Sequence, residues 1–138
     1  MFRIPKQLAD QIIAHAVKDD PDECCGLLAG RDGVLEAVYP AENAAHSPYR
    51  YFIDSKELLR LFQHIEWGEE PRSVMGNYHS HTHSEAYPSP TDVNEAHLGP
   101  DAVYLLVSLQ NPERPEIRAY RIDQEARKVE EEPIEFSD

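Results

Sequence analysis

His79-Ser80-His81-Thr82-His83-Ser84-Glu85-Ala86-Tyr87-Pro88-Ser89-Pro90-Thr91-Asp92 is the stretch on which the reading of this chain turns. It sets two imidazoles one residue apart, then, after seven residues, a serine, and after two more an aspartate. In an extended strand, side chains two residues apart face the same side, so His79 and His81 can address one point while Ser80 turns away. The segment Thr82 to Pro88 is long enough to reverse the chain and bring Asp92 to that point. Two imidazoles and a carboxylate with a hydroxyl beside them are the ingredients of a hydrolytic zinc site, where three protein ligands leave a fourth position for water.

Each half of the pattern also has a plainer explanation. A His-x-His dipeptide pattern is met on solvated edge strands, and Ser89-Pro90-Thr91-Asp92 is a helix start in its own right: a capping serine, a proline at the first helical position and an acid at the third. The readings are compatible, because a helix start is a rigid mount for a ligand and a cap serine retains its hydroxyl. His83 extends the alternation, but along a straight strand residues four apart are separated by roughly 13 Å. That is too far for His79 and His83 to share one tetrahedral ion, and His83 is read as a rim residue. Zinc hydrolysis also requires a base that takes the proton of water and hands it to the leaving group. Spacing does not choose that acid from among the glutamates of the chain.

Outward from this stretch the chain reads as alternating helices and strands. Leu8, Ile12, Ile13, Ala16 and Val17 recur at helical spacing after Pro5, and Asp19-Asp20-Pro21 ends that helix. Cys24 to Ala29 and Val34 to Tyr39 are apolar runs joined by Gly30-Arg31-Asp32-Gly33, which predicts a hairpin with Glu23 at its mouth. Tyr49 to Ile53 is read as an aromatic strand. Asp54 with Glu57 caps a helix carrying Leu58, Leu61, Phe62 and Ile65, which ends near Trp67-Gly68. Ser73 to His81 returns as a strand, and Thr91 to Leu98 is a short helix closed by Gly99-Pro100. Val103 to Leu109 is a continuous apolar run of the buried-strand kind, Asn111 to Pro115 its turn, and Glu116 to Ile122 the last paired strand. Glu130 to Glu132 is read as a solvated edge or a frayed tail. The fold class is α/β (α+β), and 138 residues amount to a single domain, 1–138.

Composition narrows the function. Thirteen basic against 26 acidic residues give a net charge of −13, shared evenly between the two halves of the chain. A field of that sign repels phosphate backbones and anionic lipid heads, so neither nucleic acid nor a membrane is an expected partner. No run of about 18 apolar residues could span a bilayer and no signal-like segment opens the chain, so a cytoplasmic protein is expected. The two cysteines, Cys24 and Cys25, are adjacent and cannot staple distant segments; they read as small buried residues in a reducing compartment. A nucleobase-deaminase zinc site needs His-x-Glu and Pro-Cys-x-x-Cys, and neither is present.

Taken with Glu23 ahead of Cys25-Gly26-Leu27-Leu28-Ala29-Gly30, the ungapped His79, His81, Ser89, Asp92 pattern resembles the JAMM/MPN+ metallopeptidase family in its compact prokaryotic branch. Tyr51-Phe52-Ile53-Asp54, Gly76-Asn77-Tyr78, Val107-Ser108-Leu109 and Ile117-Arg118-Ala119-Tyr120 extend the resemblance over nearly the whole chain. It implies one MPN/JAMM domain, a curved mixed β-sheet packed between helices. It also implies one catalytic Zn2+ held by His79, His81 and Asp92, with Glu23 as general acid/base and Ser89 stabilising the oxyanion. The implied reaction is hydrolysis of an amide or isopeptide bond after the C-terminal Gly-Gly tail of a ubiquitin-like β-grasp protein, in bacteria also a sulfur carrier. The alternative is a non-catalytic module of the same fold that binds such a partner; its signature, loss of ligands, is missing. A DNA-repair-associated branch shares the metal motif, but a charge of −13 speaks against it. A homodimer is compatible with the resemblance, although no apolar stripe demands one. Thr82 stands where the family usually has proline, a departure that bears on the shape of the loop and on substrate preference and removes no chemical group.

Overall fold

The computed structural model describes residues 1–138. Eight strands form one sheet in the order β7-β6-β5-β4-β2-β3-β1-β8. They are β1 (Phe2–Pro5), β2 (Cys25–Arg31), β3 (Val34–Ala41), β4 (Ser73–His81), β5 (Val103–Ser108), β6 (Glu116–Asp123), β7 (Lys128–Glu132) and β8 (Ile134–Ser137). Three helices accompany them: α1 (Lys6–Asp19), α2 (Ser55–Trp67) and α3 (Pro90–Asn94). The sheet is mixed, with β4 parallel to β5 and β1 parallel to both β3 and β8, and the other pairs antiparallel.

The curvature follows from the end of the chain. Strands β7 and β8 are separated only by Pro133, yet they lie at opposite margins of the sheet. The margins must therefore meet within a few residues, and the sheet is rolled almost into a closed barrel. The Pro133 carbonyl, at the corner between them, accepts the Phe2 N–H at 2.9 Å and begins the pairing of β8 with β1. Strands β1 to β6 and β8 all turn side chains inward onto one core with the Ala9, Ile12 and Ala16 face of α1. The outer face carries two smaller cores. One packs α2 through Leu61 and Ile65 on Leu27 and Ala29, and the other packs Val93 of α3 on Tyr104, Leu106 and Tyr120.

Most local expectations hold. The helix after Pro5 forms, although Val17 turns to solvent. Asp54 caps α2 by accepting the Lys56 N–H at 3.1 Å. The β2–β3 strands pair through Arg31 and Val34, so the hairpin turn shrinks to Asp32-Gly33. Both turn residues have positive φ, 54° and 75°, as a two-residue turn with the twist of its strands requires.

Three expectations need correction. Tyr49 to Ile53 is not a strand, because its backbone groups are taken by Asn43 and Ala44 rather than by a neighbouring strand. The helix expected over Thr91 to Leu98 ends at Asn94, and the apolar spacing of Val93, Ala96 and Leu98 marks a turn packed on β5 and β6. Glu116 to Ile122 is not the last strand: Glu130 to Glu132, expected as a solvated edge or a frayed tail, is the edge, part of β7, mostly exposed at the margin of the sheet and hydrogen-bonded to β6. Strands β1 and β8 have no counterpart in the sequence reading. Each spans only four residues, and each is stabilised by the other.

Candidate metal centre and acid

The antiparallel register of β2 on β4 brings the distant acid to the histidines. Cys25 lies opposite His79 and Gly26 opposite Tyr78, so the pairing carried two residues back sets Glu23 level with His81. Alternation turns Cys25 to the outer face, where it packs with Leu27 and Tyr51, and Glu23 shares that parity. Close approach of β4 to its neighbours β2 and β5 depends on glycine. A Cβ on Gly26 would stand 2.4 Å from the Tyr78 ring, and one on Gly76 would stand 1.8 Å from the Val103 carbonyl oxygen.

His79 and His81 project from the end of β4 on the outer face, and Asp92 reaches them from the first turn of α3. Asp92 Oδ1 lies 3.2 Å from His79 Nε2, and Asp92 Oδ2 lies 2.9 Å from His81 Nε2. Ligand atoms of all three residues lie within 4.8 Å of one another. The shorter separations approach the edge of a zinc-sized tetrahedron, about 3.3 Å for bonds near 2 Å. His79 supplies a second sign of fit: both its ring nitrogens are buried without a hydrogen-bond partner, and the 3.2 Å approach to Asp92 lacks hydrogen-bond alignment. Such orphaned groups cost about 1–3 kcal/mol each, and a cation facing Nε2 and the carboxylate removes one of them. The donor set of two imidazoles and a carboxylate suits zinc.

The local electrostatics agree. Burial by itself raises the Asp92 carboxyl, but the imidazoles of His79 and His81 and the Ser89 N–H outweigh it and hold the group well below the carboxylate range. Burial pushes His79 down from 6.5 and keeps its ring neutral, the form that binds metal. His81 is moved up: burial opposes this, but its bonds to Asp92 and to the Glu85 carbonyl prevail. Glu23 is 3% exposed, and burial pushes it from 4.5 to about 8, partly offset by His81 and reinforced by Asp92. One of its oxygens, Oε1, has no partner.

Ser89 caps α3 reciprocally with Asp92: its Oγ accepts the Asp92 N–H at 3.1 Å, and Asp92 Oδ2 accepts the Ser89 N–H at 2.9 Å. Because Oγ is an acceptor in the cap, its hydroxyl proton is free for another partner. Capping and placement of the cluster are thus one arrangement, and the plainer reading of Ser-Pro-Thr-Asp is also true. His83 is exposed at the rim, outside the cluster. The loop between His81 and Ser89 is tied down by Ser84 carbonyl to Ser108 Oγ at 2.6 Å, by Glu85 carbonyl to His81 Nδ1 at 2.8 Å and by Ala86 carbonyl to the Tyr120 hydroxyl. Thr82 is buried, with its hydroxyl 3.5 Å from the Pro48 carbonyl oxygen. Cys24 and Cys25 are free and buried, as expected.

Three residues of the site escape the sequence reading. Ser80, the middle of His-x-His, faces inward and accepts the Cys24 N–H on its Oγ at 2.8 Å, which clamps the strand end next to Glu23. The alternation that paired the histidines already pointed it there. Tyr51 lies flat on His79, with ring centroids 4.4 Å apart and planes 26° from parallel. Asn43 donates to the Glu23 carbonyl at 3.0 Å. No spacing rule connects either of the last two to β4.

No helix is long and apolar enough to cross a membrane. The family model for prokaryotic homologues of the JAB domain matches residues 5–123. The chain is 47% identical over 133 residues to the CysO-cysteine peptidase of Mycobacterium tuberculosis, covering 95% of this chain and 88% of that one. It is 38% identical over 94 residues to a probable TtuB-protein conjugate cleaving protease of Thermus thermophilus, covering 67% of this chain and 62% of that one. Among solved structures, protein DSY2949 from Desulfitobacterium hafniense superposes with a TM-score of 0.86 at 32% identity, covering 100% of this chain and 94% of that one. A rolled mixed sheet with two histidines at a strand end and an aspartate on the adjoining helix start, matched over this much of its length, places the chain in the prokaryotic JAB branch of the JAMM/MPN family.

Proposed function

We propose that this protein is a zinc-dependent peptidase that hydrolyses the amide bond after the C-terminal Gly-Gly tail of a ubiquitin-like protein, a β-grasp sulfur carrier being the substrate class favoured. What supports this reading is that the buried Glu23, two residues ahead of β2, lies close enough to feel the charges of His81 and Asp92, which gather with His79 into a group that could hold a metal. His79, His81 and Asp92 would hold the metal. Bound there, zinc supplies water acidified toward neutrality and polarises the substrate carbonyl. Glu23 takes the proton of the attacking water and returns it to the departing amine. Its buried setting raises its basicity, while a nearby cation favours the carboxylate, and the balance leaves it able to act in both directions. Ser89 donates a hydrogen bond from its free hydroxyl to the oxyanion that forms as the carbonyl is attacked. The names of the mycobacterial and Thermus relatives, one a CysO-cysteine peptidase and the other a conjugate-cleaving protease, support the choice of substrate.

The test uses zinc-loaded protein and a fusion in which a Gly-Gly tail is joined to a second protein. Glu23→Gln should keep its zinc and lose cleavage by about 10²–10⁴-fold. His81→Ala and Asp92→Ala should lose zinc, while His83→Ala keeps it. Unchanged turnover in Glu23→Gln removes the acid from the mechanism. Tail binding without cleavage by the zinc-loaded wild type would make the protein a binding module instead.

A further inference from the structure

The two imidazoles of the cluster are held in different ways. His81 has the usual outer partner of a metal-binding histidine: its Nδ1 lies 2.8 Å from the Glu85 carbonyl oxygen, which aims Nε2 at Asp92. His79 has none, for its Nδ1 is buried with no acceptor in reach. Without such a bond, nothing polar prevents that ring from turning about its Cβ–Cγ bond and swinging Nε2 off the metal position. What lies against the ring is Tyr51, stacked at 4.4 Å.

Tyr51 is itself fixed at three points. Its hydroxyl accepts the Asn77 Nδ2–H at 3.2 Å, from the residue two before His79 on the same strand face. On either side its backbone is pinned by one buried amide: Asn43 Nδ2 donates to the Arg50 carbonyl at 3.0 Å, and Asn43 Oδ1 accepts the Phe52 N–H at 3.1 Å. The same amide donates to the Glu23 carbonyl and accepts the Ala45 N–H, both at 3.0 Å, so its donors and acceptor are fully used. This explains why an aromatic segment lies beside the sheet without joining it: its backbone bonds go to Asn43, and its ring goes to His79.

We propose that Tyr51 is a positioning residue for His79, its ring face doing for that imidazole what the Glu85 carbonyl does for His81, with Asn43 as the peg that holds the ring in place beside Glu23. This inference rests on the reading of His79 as a zinc ligand. It predicts that the aromatic face matters and the hydroxyl does not.

The experiment measures zinc affinity by competition with a chromogenic chelator for the wild type, Tyr51→Phe and Tyr51→Leu, after each is shown to be folded. Tyr51→Leu should bind zinc about 10–100-fold more weakly, the range seen when an outer partner of a ligand is removed. Tyr51→Phe keeps the ring and should stay near wild type. Wild-type affinity in the leucine variant overturns the proposal. A phenylalanine variant as weak as the leucine one overturns it too, because the Asn77 bond would then be what holds the site. Should the leucine variant not fold, the zinc-free wild type decides by NMR: the imidazole protons of His79 should be shifted upfield by the stacked ring, and ordinary shifts refute the stack. A wild type that binds no zinc sinks the proposed function, whereas these proton shifts still judge the contact between the rings.

Discussion

Removing the charge of Glu23 should stabilise the metal-free protein, and the gain should grow with pH. The folded protein holds the Glu23 proton up to about pH 8, while the ordinary value for the group is 4.5. Between those limits the folded state binds more protons than the unfolded chain, so stability falls as pH rises through the window. At pH 9, above both values, the buried carboxylate costs roughly 4–5 kcal/mol, at pH 7 roughly 3 kcal/mol, and at pH 5 less than about 1 kcal/mol. The side chain is 3% exposed, so solvent screening does not relieve this cost. Glu23→Gln carries no charge at any of these values. Urea denaturation of both proteins, stripped of metal, at pH 5, 7 and 9 reads the difference directly, because every other titrating group is common to the two. Parallel pH profiles would refute the reasoning, for they would mean that the carboxylate is hydrated where it lies. Adding zinc should narrow the gap, since a cation nearby offsets the cost of the buried charge. A group that costs the fold several kcal/mol at neutral pH is the kind of local sacrifice expected at a functional site.

Ser89→Ala should lose about 1 kcal/mol with the helix cap. If Ser89 also serves the oxyanion, hydrolysis should fall about 10²–10³-fold in the same variant, assayed where it is still folded; lost stability with unchanged turnover would reduce the serine to its cap. Gly76→Ala sets a methyl group 1.8 Å from the Val103 carbonyl oxygen and should separate β4 from β5. The loss should exceed about 4 kcal/mol, visible as absent soluble protein or a collapsed denaturation midpoint, and a variant of near wild-type stability would contradict the packing described here.

The physical unity of the site lies in how few elements build it. Strand β4 carries both imidazoles, the capping turn of α3 carries the carboxylate and the hydroxyl, and the approach to β2 carries the acid, two residues ahead of the strand. Each is placed by an ordinary rule of structure: alternation, N-capping and antiparallel register. The acid and the His79 ring are in settings that ordinary folding would avoid, a buried carboxyl and buried ring nitrogens without partners.

What the sequence determined by itself was local. Alternation put His79 and His81 on one face and Ser80 on the other, Ser-Pro-Thr-Asp started α3, Asp54 started α2, while Glu57 turned to the Glu42 N–H instead of closing the cap, and the apolar run from Val103 announced a central strand. These depend on contacts within a few residues, and they leave a period or a cap in the chain that can be read directly. The resemblance of the whole pattern to a known family then carried Glu23 into the set, something no spacing rule could do across 56 residues. Only the tertiary structure decided the rest. The register of β2 on β4 brought Glu23 level with His81, β8 closed the sheet against β1, and Tyr51, which looked like part of a strand, became the ring beneath His79. Pairing between distant segments leaves no periodic trace in either partner, because each strand shows its own inside and outside but not its neighbour, and the amide of Asn43 satisfies four backbone groups from three separate places in the chain without any signature of its own.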